Sequence, residues 1–192
     1  IATGRISPRE LIQFKNYLIK ISCIKNTLKG KKIPLYLKNC INQLHDCSEI
    51  INSIECKINE EAPVLVNKGG VIKEKYSKEL DSYREITAQS EKILESICNR
   101  EIKKTGISSL KISYNNVFGY YLEVRHKYKD QVPEQWIRKQ TLVSAERYIT
   151  EELKDIENKI VHAKSNILQL EILLYENVVK DLKSYLGIFQ IN

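Results

Sequence analysis

A chain of 192 residues and 22.4 kDa is the size of one ordinary domain or two small ones. Its 42% hydrophobic and 29% charged content supports a buried core and excludes intrinsic disorder, and no run of 18 apolar residues exists to form a transmembrane helix. The net charge of +7 is unevenly spread: residues 1–33 carry eight basic side chains and one acid, and residues 107–149 seven bases and four acids. The intervening residues 34–106 and the closing residues 150–192 are near neutral or slightly acidic. Two basic regions of this kind are compatible with a polyanionic partner, most often nucleic acid, and equally with a solvated surface.

With seven Gly and four Pro, and with Ile, Leu, Lys, Glu and Asn dominant, long helices are expected. No Met occurs, so Ile1 is expected to open a piece of a longer protein. Ser7-Pro8-Arg9-Glu10 has the form of a capping box with Pro in the first turn. Leu11, Phe14, Leu18 and Ile21 continue at helical spacing to Gly30, where Lys29, Lys31 and Lys32 suit the negative end of the helix dipole. Residues 34–58 predict two shorter helices. One has an apolar face of Leu35, Leu37, Ile41 and Leu44, the next of Ile50, Ile51, Ile54 and Ile58. Residues 59–76 lose periodicity, contain Pro63, Gly69 and Gly70, and read as an extended connector with a turn. Ser77 to about Lys104 predicts a helix of roughly 40 Å.

The period then changes from helical to alternating. Leu110, Ile112 and Tyr114 form one strand pattern and Tyr120, Leu122 and Val124 another, with Asn115-Asn116 between them as hairpin residues. Trp136 to Leu142 and Ala145 to Ile149 predict two more strands. From Thr150, a good N-cap followed by Glu151 and Glu152, the helical period persists to about Leu186. Leu153, Ile156, Ile160, Ala163, Ile167, Leu170 and Leu174 make a heptad seam. The expected class is α+β, mainly α: long antiparallel helices with a small antiparallel β module inserted at their tip. The divisions fall at residues 1–106, 107–149 and 150–192.

Enzymatic constellations are missing from the sequence. Gly69-Gly70 lacks the Gly-Lys-Ser/Thr ending of a phosphate loop, and no Gly-x-Ser-x-Gly elbow occurs. His45, His126 and His162 are isolated, which predicts surface or partly packed imidazoles. Cys23, Cys40, Cys47, Cys56 and Cys98 form an odd set without a Cys-x-x-Cys pair, so buried free thiols in a reducing, cytoplasmic compartment are expected. Residues 1–20 contain no apolar core of the kind a signal peptide has.

The β module offers a different chemistry. It carries Lys111, Arg125, Lys127, Lys129, Arg138, Lys139 and Arg147, with amide and hydroxyl donors at Asn115, Asn116, Gln140, Thr141 and Ser144. These groups contact phosphate oxygens. The string Arg138-Lys139-Gln140-Thr141 ends a strand beside a loop. Seven aromatics in the same module, from Tyr114 to Tyr148, are expected mainly to fill its core, with stacking on bases as the other use.

Residues 105–157 closely resemble the clamp of the MutS family of DNA mismatch repair proteins. The matching strings run from Thr105-Gly106-Ile107 through Tyr114-Asn115-Asn116-Val117-Phe118-Gly119-Tyr120-Tyr121. They continue with Trp136-Ile137-Arg138-Lys139-Gln140-Thr141-Leu142 and Ala145-Glu146-Arg147-Tyr148-Ile149-Thr150-Glu151-Glu152-Leu153. Weaker agreement lies at Gly4-Arg5-Ile6-Ser7-Pro8 and Gly69-Gly70-Val71-Ile72. The resemblance implies that the helices are core and lever elements and that the β module is a clamp holding the duplex backbone without reading sequence. Its implied DNA contacts fall on Asn115, Asn116, Lys139, Val143 and Ser144. Many family members have Asn where this chain has Ser144, and some have Lys where it has Val143, leaving that position only its backbone N–H. By strand alternation Arg138 is expected on the face opposite Lys139, paired with Glu123 or Glu134.

The family's Phe-x-Glu mismatch-reading motif is missing, since Phe14, Phe118 and Phe189 precede other residues, and so is its ATPase phosphate loop. The resemblance therefore implies no catalysis and no cofactor here. It places ATP and Mg in the full-length protein, with mismatched double-stranded DNA, a homodimer and a MutL-type repair protein as partners and no membrane. The competing expectation is a helical protein-interaction module with a solvated basic surface. A remnant of an enzyme, catalytic only in an intact chain, is a third.

Overall fold

The computed structural model describes residues 5–185 together with 187 and 188. Gly4, Leu186 and Phe189 of the sequence reading lie outside the described residues. Residues 1–81 with 167–192 form one compact unit and residues 82–166 another.

In the first unit, helix α1 (Pro8–Leu28) opens on the expected capping box. The Ser7 N–H donates to the Glu10 carboxylate at 2.8 Å, and the Glu10 N–H donates to the Ser7 hydroxyl at 3.3 Å. That backbone hydrogen bond holds the Glu10 carboxyl below its ordinary range. Leu11 and Leu18 of α1 meet Ile50 and Ile54 of helix α3 (Ser48–Lys57) in a core completed by Val71, Ile72, Leu80, Val178 and Leu182. Removing a fully buried aliphatic such as Leu11 costs about 2–5 kcal/mol. The connector is pinned, not loose. Ile58 bridges Ile72, the Asn59 N–H donates to the Val71 carbonyl at 2.9 Å, and the Lys73 N–H donates to the Lys57 carbonyl at 2.8 Å.

Two expectations change here. Helix α2 (Leu35–Gln43) forms, but it buries none of its residues, and Leu35 and Leu37 face solvent. Only Cys47 among the five free thiols is buried; Cys23, Cys40 and Cys56 are exposed. Their helices turn those positions away from the core, which the odd count could not reveal.

The second unit joins parts of helix α4 (Lys78–Thr105) and helix α5 (Glu151–Lys183) to four strands. These are β1 (Lys111–Asn115), β2 (Gly119–Arg125), β3 (Ile137–Thr141) and β4 (Ala145–Ile149), antiparallel in the order β1-β2-β4-β3. The class is α+β, mainly α, as expected. Leu122 and Val124 of β2 and Tyr148 of β4 face a core shared with Leu94 and Ile97 of α4 and Leu153, Ile156 and Ile160 of α5. The two helices are antiparallel here: Arg100 binds Glu152 at 3.2 and 2.6 Å, while earlier Glu91 and later Glu157 both act on Tyr120. Thr150 caps α5, its hydroxyl accepting the Leu153 N–H at 3.2 Å.

The heptad seam holds along the part of α5 in this unit, where Leu153, Ile156, Ile160 and Ala163 are buried. In residues 167–183, which belong to the first unit, the buried positions are Glu171, Tyr175, Val178, Val179 and Leu182, and Leu170 and Leu174 are half-buried. A straight helix drifts by about 20° per heptad, so a 3.5-residue stripe slides off the buried face. Glu171 is fully buried and accepts the Val71 N–H at 3.1 Å, which is why a carboxylate is tolerated there.

Candidate nucleic-acid interface

The strand order separates the two sets of expected DNA residues. The β1–β2 turn carries Asn115 and Asn116, next to Gly119 at the start of β2. The β3–β4 turn carries Val143 and Ser144, and Ala145 pairs with Arg125 at the end of β2. The two turns therefore sit at opposite ends of the sheet. The seven residues of β2 between them span about 20 Å.

The Asn115 end is built into the unit. The Asn115 side-chain oxygen accepts the N–H groups of Val117 at 3.0 Å and Phe118 at 2.7 Å, closing the turn on itself. Gly119 has φ +74°, and a Cβ there would lie 1.9 Å from the Glu157 carboxylate of α5. Burial raises the Tyr120 hydroxyl pKa, and the charges of Glu91 and Glu157 raise it further. The surroundings of this end are thus acidic. Asn116 remains exposed there as an amide donor, beside the exposed Tyr114.

The Ser144 end has the opposite character. Val143 is fully exposed, and Lys139, Thr141 and Ser144 are exposed beside it. Among the described residues, the N–H groups of Val143 and Ser144, the Ser144 hydroxyl and the Lys139 ammonium make no hydrogen bond or ion pair. The turn itself is held firmly. The Leu142 N–H donates to the Ala145 carbonyl at 2.8 Å, and the His126 N–H donates to the Ser144 carbonyl at 3.3 Å. The His126 ring nitrogen Nε2 lies 2.8 Å from the Leu142 carbonyl. Exposed Arg125 and Lys127 flank His126. A hydroxyl and two free backbone N–H groups on a braced turn, with the Lys139 cation on the strand that leads into it, are groups of the kind that contact phosphate oxygens.

Lys139 owes its position to a β-bulge. Arg138 pairs with Tyr148 and Gln140 with Arg147, which leaves Lys139 as the extra residue. Strand alternation does not apply across that step. Arg138 pairs with Glu146 at 3.3 Å rather than with Glu123 or Glu134. Glu146 sits below its ordinary range, chiefly because it accepts the Tyr148 hydroxyl, while burial pushes the Tyr148 pKa up to about 12. Gln140 belongs to a polar row across the solvent face. Lys111 binds Glu123 at 3.0 Å, Glu123 lies 3.6 Å from Arg147, and Arg147 donates to the Gln140 oxygen at 2.9 Å. The Arg147 guanidinium also covers the Tyr121 ring, 4.5 Å from its centre. His126 is the residue that sequence reasoning passed over: nothing in its spacing signals a brace.

Comparison with known proteins finds one family. Residues 75–166 match MutS family domain IV. The DNA mismatch repair protein MutS of Bacteroides fragilis is 49% identical over 192 residues, covering all of this chain and 22% of that protein. The protein of the same name from Flavobacterium psychrophilum is 50% identical over the same coverage. That of Ruminiclostridium cellulolyticum is 40% identical over 187 residues, 97% of this chain and 21% of the relative.

The chain belongs to the MutS family. It spans about a fifth of the length of the curated relatives it matches. Both turns, with every expected contact residue from Asn115 to Ser144, fall inside the segment matched to MutS domain IV. Among the described residues, no helix is long and apolar enough to cross a membrane.

Proposed function

We propose that residues 107–149 act as the clamp of a DNA mismatch repair protein, gripping the sugar-phosphate backbone of duplex DNA through the β3–β4 turn. The observation that carries this reading is the set of unused donors at that turn: Lys139, the N–H groups of Val143 and Ser144, and the Ser144 hydroxyl. Ammonium, hydroxyl and backbone N–H donors of this kind contact phosphate oxygens whatever the base, so binding is expected to be independent of sequence and of mismatches. Arg138 and Gln140 act indirectly, because their partners Glu146 and Arg147 hold β3 in register. Asn116 adds a minor contact when the duplex reaches the other end of the sheet, and Asn115 shapes that turn.

The helical parts, residues 1–106 and 150–192, serve as core and levers. The chain's own residues perform no catalysis and hold no cofactor. ATP and Mg²⁺, the homodimer and a MutL-type partner belong to the intact protein's cycle.

Duplex binding by fluorescence anisotropy tests the proposal, on matched and mismatched duplexes from low to physiological salt. The expected Kd is roughly 10⁻⁴ to 10⁻⁶ M, equal on both duplexes. Lys139→Ala weakens binding and reduces the salt slope by about 0.9, the share of one neutralised phosphate. Ser144→Ala weakens it less, and Asn115→Ala/Asn116→Ala least. Absence of binding at low salt, or a Lys139→Ala variant that binds like wild type, contradicts the proposal and favours the protein-interaction alternative. ATP hydrolysis by this chain would overturn the non-catalytic assignment.

A further inference from the structure

The basic stretch of residues 1–33 has no part in the proposed clamp, and three of its lysines line one cleft together with Lys38. The end of α1 and the body of α2 enclose an open cleft of about 450 Å³, lined by Lys25, Lys29, Lys31 and Lys38 with the amides of Asn26 and Asn42. No carboxylate lines it. Asp46, the acid close enough to feel Lys25, is engaged by the Ser48 hydroxyl and N–H.

We propose that this cleft is a second nucleic-acid site, binding the phosphate backbone of a strand. The inference does not rest on the clamp reading. Its first support is the contrast among the lysines of this unit. Lys15 is paired with Glu60 at 2.5 Å and Lys57 with Asp181 at 3.3 Å. Lys29, Lys31 and Lys38 make no ion pair among the described residues. With four lysines and no carboxylate among the residues that line the cleft, an anion entering it meets side-chain charge of one sign only. Its second support is that the walls are fixed. Lys25 of α1 reaches the Leu44 carbonyl just past α2 at 2.5 Å, holding the two helices across the cleft. Its third is the nature of the lining. The charged and amide groups at Lys29, Lys31, Lys38, Asn26 and Asn42 are exposed, whereas the apolar residues Leu28, Ile33 and Ile41 are half-buried. The cleft presents point charges and amide donors to phosphate oxygens and no deep apolar pocket for a peptide anchor.

The test uses the full 192-residue chain carrying Lys139→Ala/Ser144→Ala, so that a failure of the clamp reading leaves it undisturbed. Amide chemical shifts are followed while a 12-residue oligothymidylate is added at low salt, with a poly-glutamate peptide of equal charge in a parallel titration. The expected result is movement of amides in residues 25–42, with a salt slope of about −0.7 per phosphate engaged, hence about −2 for three lysines. Lys29→Ala/Lys38→Ala changes only exposed side chains. It is expected to reduce that slope by about 1.4 and weaken binding several-fold. Unmoved 25–42 amides, binding unchanged in the double lysine variant, or tighter binding of poly-glutamate than of the oligothymidylate would each overturn the proposal. The last outcome would assign the cleft to an acidic protein segment instead.

Discussion

The two ends of the four-stranded sheet use the same raw materials to opposite ends. Each has a tight turn with short polar side chains between strands. At the β1–β2 turn the polar group is spent: the Asn115 oxygen takes two backbone N–H groups, and Gly119 gives way to Glu157 of α5. At the β3–β4 turn the supports come from behind, through the His126 ring and N–H, and the outward donors stay unused. A polar residue at a turn is therefore an indicator of binding only after its local hydrogen bonds have been counted. The same count separates Arg138 and Gln140, both engaged in the sheet, from Lys139, which the bulge sets apart.

The contrast can be broken most forcefully at the core both ends share. Leu122→Ala, at a fully buried position, should destabilise the second unit by about 2–5 kcal/mol in urea unfolding, harming both turns together. Gly119→Ala comes next, at about 1–2 kcal/mol, because its φ of +74° disfavours a Cβ. If Glu157 contributes, Glu157→Ala in the same chain should recover part of that loss. Asn115→Ala should cost about 1 kcal/mol as a lost turn cap, with little change in duplex affinity. Val143→Ala and Ser144→Ala should alter stability by no more than about 0.5 kcal/mol, since both side chains are exposed and unbonded. The turn that matters for stability should thus be nearly silent in binding, and Ser144→Ala the reverse.

A pH experiment sharpens the comparison on the side of the sheet that supports β3. Tyr148 ionises at about 12 in the folded chain, above its ordinary value of 10.0. Its contribution to stability is full below pH 10 and is lost as pH rises through about 12, because the unfolded chain gives up that proton first. Glu146 has the opposite sign: its carboxyl is held low, so its contribution is present above the ordinary carboxylate range and lost as pH falls below it. Tyr148→Phe should flatten the alkaline limb of urea-unfolding stability against pH. An unchanged limb would mean that another group governs it.

Much of this was legible in the sequence, for reasons particular residues make plain. The Ser7–Glu10 box, the Thr150 cap and the switch from period 3.6 to period 2 after Gly106 are local signals, and the structure follows them. Less legible was anything that depends on which strands pair. Asn115 and Ser144 look like neighbours in a list of polar turn residues, and only the order β1-β2-β4-β3 puts them at opposite ends. The bulge at Lys139 leaves no mark on composition. The apolar face of α2 was visible as a pattern, but burial is a tertiary fact, and Leu35 and Leu37 are exposed. The seam of α5 was readable up to Ala163 and slid thereafter, so a buried carboxylate at Glu171 escaped notice.

The central claim, that the duplex is held at the Ser144 end of the sheet, is tested most directly by amide chemical-shift mapping during a titration with a matched duplex at low salt. The account predicts that the Lys139, Val143 and Ser144 signals move together and return as salt is added, while those of Val117 and Phe118 stay in place. Movement confined to residues 115–119, with Val143 and Ser144 unperturbed, would contradict it.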